Sequence, residues 1–176
     1  MKTNIIHIAK ADIGQASIIM DLARKTFVET YHEMSNEENL QLYLAKHFTL
    51  EKMEEELSDH SYRFFIAWID GQPVGFTKIR KDRSPKGLSG MKSLEIERIY
   101  VLLEYQGFTV GKELMKFIKE LALAENDQVI WLQVWQKNTK AIQFYQKSGF
   151  VVYETTHFDF GQETHQDFLL RFDLYN

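Results

Sequence analysis

A chain of 176 residues with 44% apolar and 26% charged side chains has the composition of a globular protein large enough to bury a core. Its formal net charge of −4 repels nucleic acid and anionic membrane surfaces, and we expect neither as a partner. It contains no cysteine, so disulfides, thiolate metal sites and a cysteine nucleophile are excluded. No segment reads as a signal peptide or reaches membrane-spanning length, and we expect one cytoplasmic domain over residues 1–176.

The first third of the chain predicts one strand followed by three helices. Residues 4–9 alternate weakly between apolar and polar side chains, as in a strand. Apolar residues then recur at helical spacing from 12 to about 31. Ser35 followed by Glu38 has the spacing of a capping box and predicts the start of a second helix. Thr49 can cap a short third helix.

The remainder of the chain predicts six further strands and two helices. Asp70-Gly71 is typical of a hairpin turn and would join strands at 62–69 and 73–79. After a polar loop at 82–92, the pattern predicts a strand at 93–102, a helix at about 109–125 and a strand at 128–135. A helix then extends from Asn138 to Lys147, and Gly149 is expected to end it in a left-handed conformation. Two strands follow, at about 150–158 and 165–174. This order predicts a mixed α/β (α+β) fold, in which a central, twisted, mixed sheet of about seven strands carries helices on both faces.

The junction between the strand at 93–102 and the next helix is the most informative segment. Its loop holds residues suited to a turn built from backbone N–H groups: Gln106, Gly107, Thr109 and Gly111. Unpaired N–H groups and the helix dipole make such a junction an anion site, and a pyrophosphate is its usual ligand. The apolar phase at 96–101 is imperfect. We favour a regular central strand covered on both faces over a bulge that re-aims N–H groups toward a ligand.

Residues 138–150 form a second informative segment, Asn-Thr-Lys-Ala-Ile-Gln-Phe-Tyr-Gln-Lys-Ser-Gly-Phe. Alone it indicates only a capped amphipathic helix with aromatic residues in the core. Combined with Glu-Arg-Ile-Tyr-Val at 97–101, the loop after it and the apolar strand at 128–135, its order and spacing resemble the GCN5-related N-acetyltransferases (GNAT) over nearly the whole chain. Further segments are similar to the bacterial spermidine/spermine N-acetyltransferases of the PaiA type: Thr26-Phe27, Glu38-Asn39-Leu40, Tyr43-Leu44, residues 94–100, Trp131, Val134-Trp135 and residues 161–167.

The resemblance implies the GNAT fold and acetyl-CoA as the acetyl donor. Backbone N–H groups of one stretch would bind the pyrophosphate of coenzyme A: Gln106, Gly107, Phe108, Thr109, Val110, Gly111 and Lys112. The pantetheine would pair with the main chain of Ile99 and Val101 like an added strand, and a N–H near Tyr100 would stabilise the tetrahedral oxyanion. Asn138 would both cap its helix and bond to the coenzyme. Lys147 would contact a phosphate, the alternative being a solvated lysine at a helix end.

One residue departs from the family pattern Gln/Arg-x-x-Gly-x-Gly/Ala. Thr109 replaces the middle glycine, and a β-branched residue resists a positive φ. We therefore expect Thr109 to adopt helical dihedrals and to offer its hydroxyl to a phosphate or to the helix N-terminus. Gly107 would then be the flexible residue of the loop, in place of the missing glycine.

The resemblance also implies candidates for the chemistry and for the acceptor. Tyr145 would protonate the leaving thiolate, its alternative being a core aromatic beside Phe144. Glu97 would remove the proton of the acceptor amine, through water, with Glu95 as the second choice. The alternative for both is structural, as partners of Arg98 or as solvated residues. Near the entrance, acidic and aromatic residues that include Glu29 and Tyr31 would attract a polycation, or would be solvated helix faces.

These expectations combine into an N-acetyltransferase that moves the acetyl group of acetyl-CoA to a primary amine. Direct attack in a ternary complex is expected because the chain has no cysteine to carry the acetyl group. A polyamine such as spermidine or spermine is the leading acceptor. The alternatives are a protein or peptide N-acetyltransferase and a non-catalytic CoA-binding module. We expect no metal, since the histidines lack ligand spacing, and the oligomeric state stays open, a homodimer included.

Overall fold

The computed structural model describes residues 5–175, which form seven strands and five α-helices. In chain order these are β1 (Ile6–Lys10), α1 (Ala16–Tyr31), α2 (Glu37–His47), α3 (Leu50–Ser58), β2 (Tyr62–Ile69), β3 (Gln72–Arg80), β4 (Ser93–Val101), α4 (Val110–Ala124), β5 (Val129–Trp135), α5 (Thr139–Lys147), β6 (Val151–Phe160) and β7 (Glu163–Asp173). Of the strand predicted at 4–9, residue 4 lies outside the described residues. None of the helices within 5–175 combines the length and the apolar character needed to cross a bilayer.

All seven strands belong to one sheet in the order β1-β2-β3-β4-β5-β7-β6. Neighbouring strands are antiparallel except for β4 and β5, which are parallel, so the prediction of a mixed sheet is confirmed. The parallel pair is short: residues 93–95 of β4 pair with residues 129–131 of β5, and beyond this point the two strands diverge. The divergence opens a gap in the middle of the sheet, and this gap positions the site described below.

Helices cover both faces of the sheet, as predicted. Phe64 and Phe65 of β2 point to opposite faces because side chains alternate along a strand. Phe64 packs in a cluster with residues of α1, α2 and α3, whereas Phe65 packs with Met115 and Ile118 of α4. Each buried side chain of this size contributes about 1.5–3 kcal/mol, so the two clusters stabilise the sheet from both faces.

The helix caps test the sequence predictions residue by residue. Thr49 and Asn138 are confirmed as caps: their side-chain oxygens accept hydrogen bonds from the N–H groups of Lys52 (3.2 Å) and Ala141 (3.1 Å). The prediction that Ser35 and Glu38 form a capping box is wrong. Asn36 caps α2 instead, because its side-chain oxygen accepts the N–H of Glu38 at 2.7 Å.

The two predicted turns with left-handed residues are present. Asp70 and Gly71 both have positive φ, +49° and +78°, as a tight hairpin turn between β2 and β3 requires. Gly149 has φ of +91° just after α5, which confirms it as the residue that ends this helix.

The regular strand that we favoured at 96–101 is wrong, because β4 contains a bulge. Lys78 of β3 pairs with Arg98, whereas the next residue of β3 pairs with Ile96, so Glu97 is the extra residue. The bulge turns Glu97 and Arg98 toward the same face, that of α2 and α3. The carboxylate of Glu97 forms an ion pair with the ammonium of Lys78, and the Arg98 guanidinium lies 4.5 Å from the centre of the Phe48 ring. The extra residue explains why the apolar phase of this strand is imperfect.

Candidate active site

A cleft of about 740 Å³ occupies the gap between β4 and β5 and continues over the face of α1 and α2. Of the predicted site residues, the cleft is lined by Tyr31, Glu95, Glu97, Ile99, Tyr100, Val101, Gln106, Gly107, Thr109, Gly111, Lys112, Asn138 and Tyr145. Its lining does not include Glu29, Phe108, Val110 or Lys147. The sequence thus predicted much of the lining correctly, and the contacts of these residues with ligands stay predictions.

The four residues outside the lining have other roles in the structure. Val110 is buried against Leu114, and Phe108 and Lys147 are exposed. The carboxylate of Glu29 accepts the N–H of Leu103 at 2.9 Å, so it fixes the segment that follows β4.

The divergence of β4 and β5 leaves a strand edge open in the cleft. The N–H of Leu102 donates to a carbonyl of β3 at 3.0 Å, and main-chain groups alternate sides along a strand. The main-chain groups of Tyr100 therefore face β3, and those of Ile99 and Val101 face the cleft. Of the N–H groups near Tyr100, where we expect the oxyanion donor, those of Ile99 and Val101 face the cleft, and the donor role itself stays a prediction. Gln106 confirms this orientation, since its side-chain N–H donates to the Val101 carbonyl at 3.1 Å.

The loop before α4 corrects the expectation for Thr109. This residue has φ of +66° and ψ of −2°, in the left-handed region, and its side chain does not cap α4. A β-branched residue there costs roughly 1–2 kcal/mol. Gly107 has φ of +97°, which confirms its flexible role.

The backbone N–H groups available to an anion are fewer than predicted. The N–H of Gln106 already donates to the Leu103 carbonyl (3.1 Å), and that of Phe108 donates to the Tyr105 carbonyl (3.3 Å). The first bond of α4 runs from Glu113 to Thr109, so the N–H groups of residues 110–112 have no partner within the helix. The N–H groups of Gly107 and Thr109 also donate to no backbone carbonyl among the described residues. These N–H groups, with the positive end of the helix dipole, are suited to an anion, and their contact with a pyrophosphate stays a prediction.

Tyr145 lies on α5 at the wall of the cleft. Its ring centre is 5.5 Å from that of Phe144 and 6.1 Å from that of Phe150, so it is anchored in the core while lining the cleft. Burial, and then the neighbouring phenol of Tyr100, raise the pKa of Tyr145. Tyr145 is therefore protonated at neutral pH, as a proton donor must be.

Glu97 is held by two cations. Its carboxylate oxygens lie 2.6 Å from the ammonium of Lys78 and 3.2 Å from the guanidinium of Arg80. Burial acts to raise the pKa of Glu97, but the charges of Lys78 and Arg98 outweigh it, and this pKa lies below its usual value. The structural alternative thus fits Glu97, although its ion-pair partners are Lys78 and Arg80 rather than Arg98. A carboxylate held in this way is a weak base.

Glu95 has the opposite environment. Its side chain is only 3% exposed, and one oxygen, Oε2, lacks a hydrogen-bond partner within residues 5–175. The nearest cations are 3.4 Å (Arg83) and 4.0 Å (Arg80) away. Burial raises the pKa of Glu95 to about 7, and these cations only partly oppose the rise. Glu95 therefore exchanges a proton near neutral pH, which suits a general base better than the environment of Glu97 does.

The structure adds two polar residues that the sequence did not single out. Asp167 of β7 is 5% exposed and lines the cleft; its Oδ2 accepts a hydrogen bond from Gln133 at 3.0 Å, and Oδ1 has no partner among the described residues. Arg98 lines the cleft with a buried Nη1 that also has none. The period-two spacing of His165, Asp167 and Leu169, which places polar residues on an apolar face, could have drawn attention to Asp167.

Metal ligation finds no support within residues 5–175, where histidine, aspartate and glutamate form no group of three that could hold an ion. The chemistry of the cleft is instead that of an extended ligand with an anionic end. The open edge of β4 can pair with an extended amide-containing chain, and the N–H groups of residues 110–112 can bind a diphosphate. Coenzyme A has both parts, so the residues present fit it.

The comparisons with known proteins agree with this fit. Residues 19–150 match the model of the acetyltransferase (GNAT) family, and the chain belongs to that family. It is an N-acetyltransferase that uses acetyl-CoA as its acetyl donor.

Individual relatives extend the similarity to nearly the whole chain. The chain is 28% identical to an uncharacterised N-acetyltransferase from the pepI 3′ region of Lactobacillus delbrueckii subsp. lactis, with 95% of each chain covered. It is 25% identical to a spermidine N(1)-acetyltransferase of Thermoplasma acidophilum, covering 90% of this chain and 96% of that one. Among solved structures, the PaiA N-acetyltransferase of Thermoplasma acidophilum in complex with coenzyme A superposes with a TM-score of 0.78 at 22% identity, covering 96% and 99% of the two chains.

Proposed function

We propose that the acceptor is a small-molecule primary amine, with a polyamine as the leading class, and that it attacks the thioester directly in a ternary complex. The observation that carries the proposal is the position of Glu95. Its buried carboxylate, with a pKa of about 7, lines the same cleft as the open edge of β4. A base and a binding edge for the acetyl donor therefore share one cavity.

The main chain of β4 positions the thioester and stabilises the charge that develops on it. Ile99 and Val101 present N–H and carbonyl groups to the cleft, and one of these N–H groups would donate to the oxyanion. Such a donor contributes about 3–4 kcal/mol when it is preorganised. The clusters packed on both faces of the sheet would help to hold these N–H groups in place.

Glu95 would accept a proton from the acceptor. A primary alkylamine has a pKa of about 10.4, so it arrives as an ammonium ion. One proton must leave before the nitrogen can attack, and Glu95 takes it and passes it to solvent. The second proton leaves the nitrogen as the amide forms and balances the one that the departing thiolate gains. Tyr145 would donate a hydrogen bond and then this proton to the sulfur, and would be reprotonated afterwards.

The polyamine class is supported by the cleft and by one relative. Glu95 and Asp167 are buried carboxylates that line the cleft beside aromatic rings. The relative from Thermoplasma acidophilum is described as a spermidine N(1)-acetyltransferase, and its similarity extends over nearly the whole chain.

A peptide acceptor is the second candidate, and Arg98 is the observation that favours it. The buried Nη1 of Arg98 has no hydrogen-bond partner in the part of the chain that the structure describes, and Arg83 and Lys46 also line the cleft. Such donors suit a carboxylate or a peptide carbonyl, which a polyamine lacks.

A release assay for free thiol separates these candidates from each other and from the non-catalytic module. Because the chain has no cysteine, every thiol detected comes from coenzyme A. We expect thiol release that depends on spermidine or spermine and exceeds that with a panel of peptides carrying free N-termini or lysines. Faster release with the peptides would favour the second candidate. Acetyl-CoA binding without any amine-dependent release would contradict the proposed function.

A further inference from the structure

We propose that Asp167 holds a second, non-reacting ammonium group of the acceptor and so makes the cleft selective for diamines over monoamines. This inference rests on the proposed function, because it concerns how the same cleft chooses among amines. It adds a subsite to the reaction centre at Glu95 and the edge of β4.

Within residues 5–175, no lysine or arginine forms an ion pair with Asp167. One oxygen accepts a hydrogen bond from the neutral amide of Gln133, and the other, Oδ1, has no partner within residues 5–175. The titratable group that faces it is His165 of the same strand, which contacts Glu163 at 3.2 Å. A buried carboxylate in this state is costly unless a cation joins it.

Aromatic rings next to Asp167 can supply the rest of a cation site. Trp135 is the direct cross-strand neighbour of Asp167, and its ring stacks on His165 with the centres 4.1 Å apart. The Phe160 ring also stacks on His165, with the centres 5.2 Å apart, and Tyr31 packs against Phe160 and Trp135. The faces of such rings attract an ammonium group electrostatically, and they exclude water from it.

The two carboxylates have a spacing that suits a long diamine. Glu95 is in register with Trp131 of β5, and Asp167 is in register with Trp135, four residues further along the same strand. Four residues of strand correspond to about 13 Å. The side chain of Asp167 reaches back toward Gln133, whose amide donates to it at 3.0 Å. A diamine with about eight carbons between its amine groups can therefore place one amine at Glu95 and the other, as an ammonium, at Asp167.

The test compares 1,8-diaminooctane with n-octylamine, which has the same carbon chain and only one amine. We expect the unmodified protein to have a kcat/KM at least tenfold higher for the diamine. Asp167→Asn keeps the side-chain oxygen that Gln133 uses but removes the charge. It should abolish most of this preference through a higher KM for the diamine, while the kcat/KM for n-octylamine stays within about twofold.

The control is Asp173→Asn, which removes a carboxylate from the same strand at a position outside the cleft lining. Asp173→Asn should leave the preference for the diamine over the monoamine unchanged. Equal losses for both amines in Asp167→Asn would mean a purely structural role and would overturn the subsite, as would an unchanged preference. Equal rates for both amines in the unmodified protein would also overturn it, while leaving acetyl transfer itself established. Absence of transfer to any amine would instead contradict the proposed function.

Discussion

Replacing Glu95 with glutamine should lower activity and raise stability at the same time. In the folded protein the pKa of Glu95 is about 7, against 4.5 for the free side chain. Ionising this carboxyl therefore costs more in the folded state than in the unfolded state. At 1.36 kcal/mol per pKa unit, ionising Glu95 costs the folded protein about 3 kcal/mol more than the unfolded chain, and water entering the cleft reduces this cost.

The sign of the stability effect follows from proton binding. Between pH 4.5 and about 7 the folded protein holds the Glu95 proton and the unfolded chain does not, so stability falls as the pH rises through this window. Glutamine removes the ionisation. We expect Glu95→Gln to have a free energy of unfolding similar to that of the unmodified protein at pH 4.5 and up to about 3 kcal/mol higher at pH 8. Urea unfolding at the two pH values measures both differences.

The activity of the same variant tests the catalytic role. Only the ionised carboxylate accepts a proton, so kcat/KM of the unmodified protein should rise with pH and begin to level off near pH 7. Glu95→Gln should lower kcat/KM by about 10²–10⁴-fold and remove this inflection. A variant that gains stability but keeps the rate and its pH profile would refute the assignment of Glu95 as the base.

Two further substitutions test the loop and the proton donor. Tyr145→Phe should lower turnover while leaving acetyl-CoA affinity nearly intact by calorimetry, because only the hydroxyl is lost; unchanged turnover would remove Tyr145 from the mechanism. Thr109→Gly should relieve the strain of a φ of +66° and raise the free energy of unfolding by about 0.5–1 kcal/mol, after the greater chain entropy of glycine is deducted. Lower stability in urea unfolding would show that the threonine side chain stabilises the loop.

The helices and strands could be predicted because their signals are local. Thr49 and Asn138 cap their helices through atoms only three residues away, and Asp70-Gly71 fixes its own turn. The failures have two origins. The bulge at Glu97 depends on pairing with β3, which is distant in sequence. The cap at Asn36 instead of Ser35 and the left-handed Thr109 are local, and there the preference of the residue type did not match the conformation adopted.

In the candidate site, too, some features could be predicted from the sequence and others could not. The residues of the loop and of β4 could be placed from a pattern of spacing, since they follow one another in the chain. The choice between Glu95 and Glu97 could not, because both carboxylates occupy one strand and share similar neighbours in sequence. What separates them is the position of Lys78 and Arg80 on β3, which only the register of the sheet reveals.

The bulge gives Glu97 a positioning role toward Glu95, and this role can be tested. Arg80 contacts Asp82 and Glu97 and is left 4.0 Å from Glu95, while the charge of Glu97 itself adds to the raised pKa of Glu95. Glu97→Gln should free Arg80 for Glu95 and remove that charge, and both changes lower the pKa of Glu95. The inflection in kcat/KM should then move below pH 7, with the rate at high pH largely kept. If Glu97 were the base, the same variant would instead have a lower kcat/KM at every pH. Thermal unfolding measured at each pH gives the fraction of folded protein, and so excludes loss of structure as the cause of a lower rate.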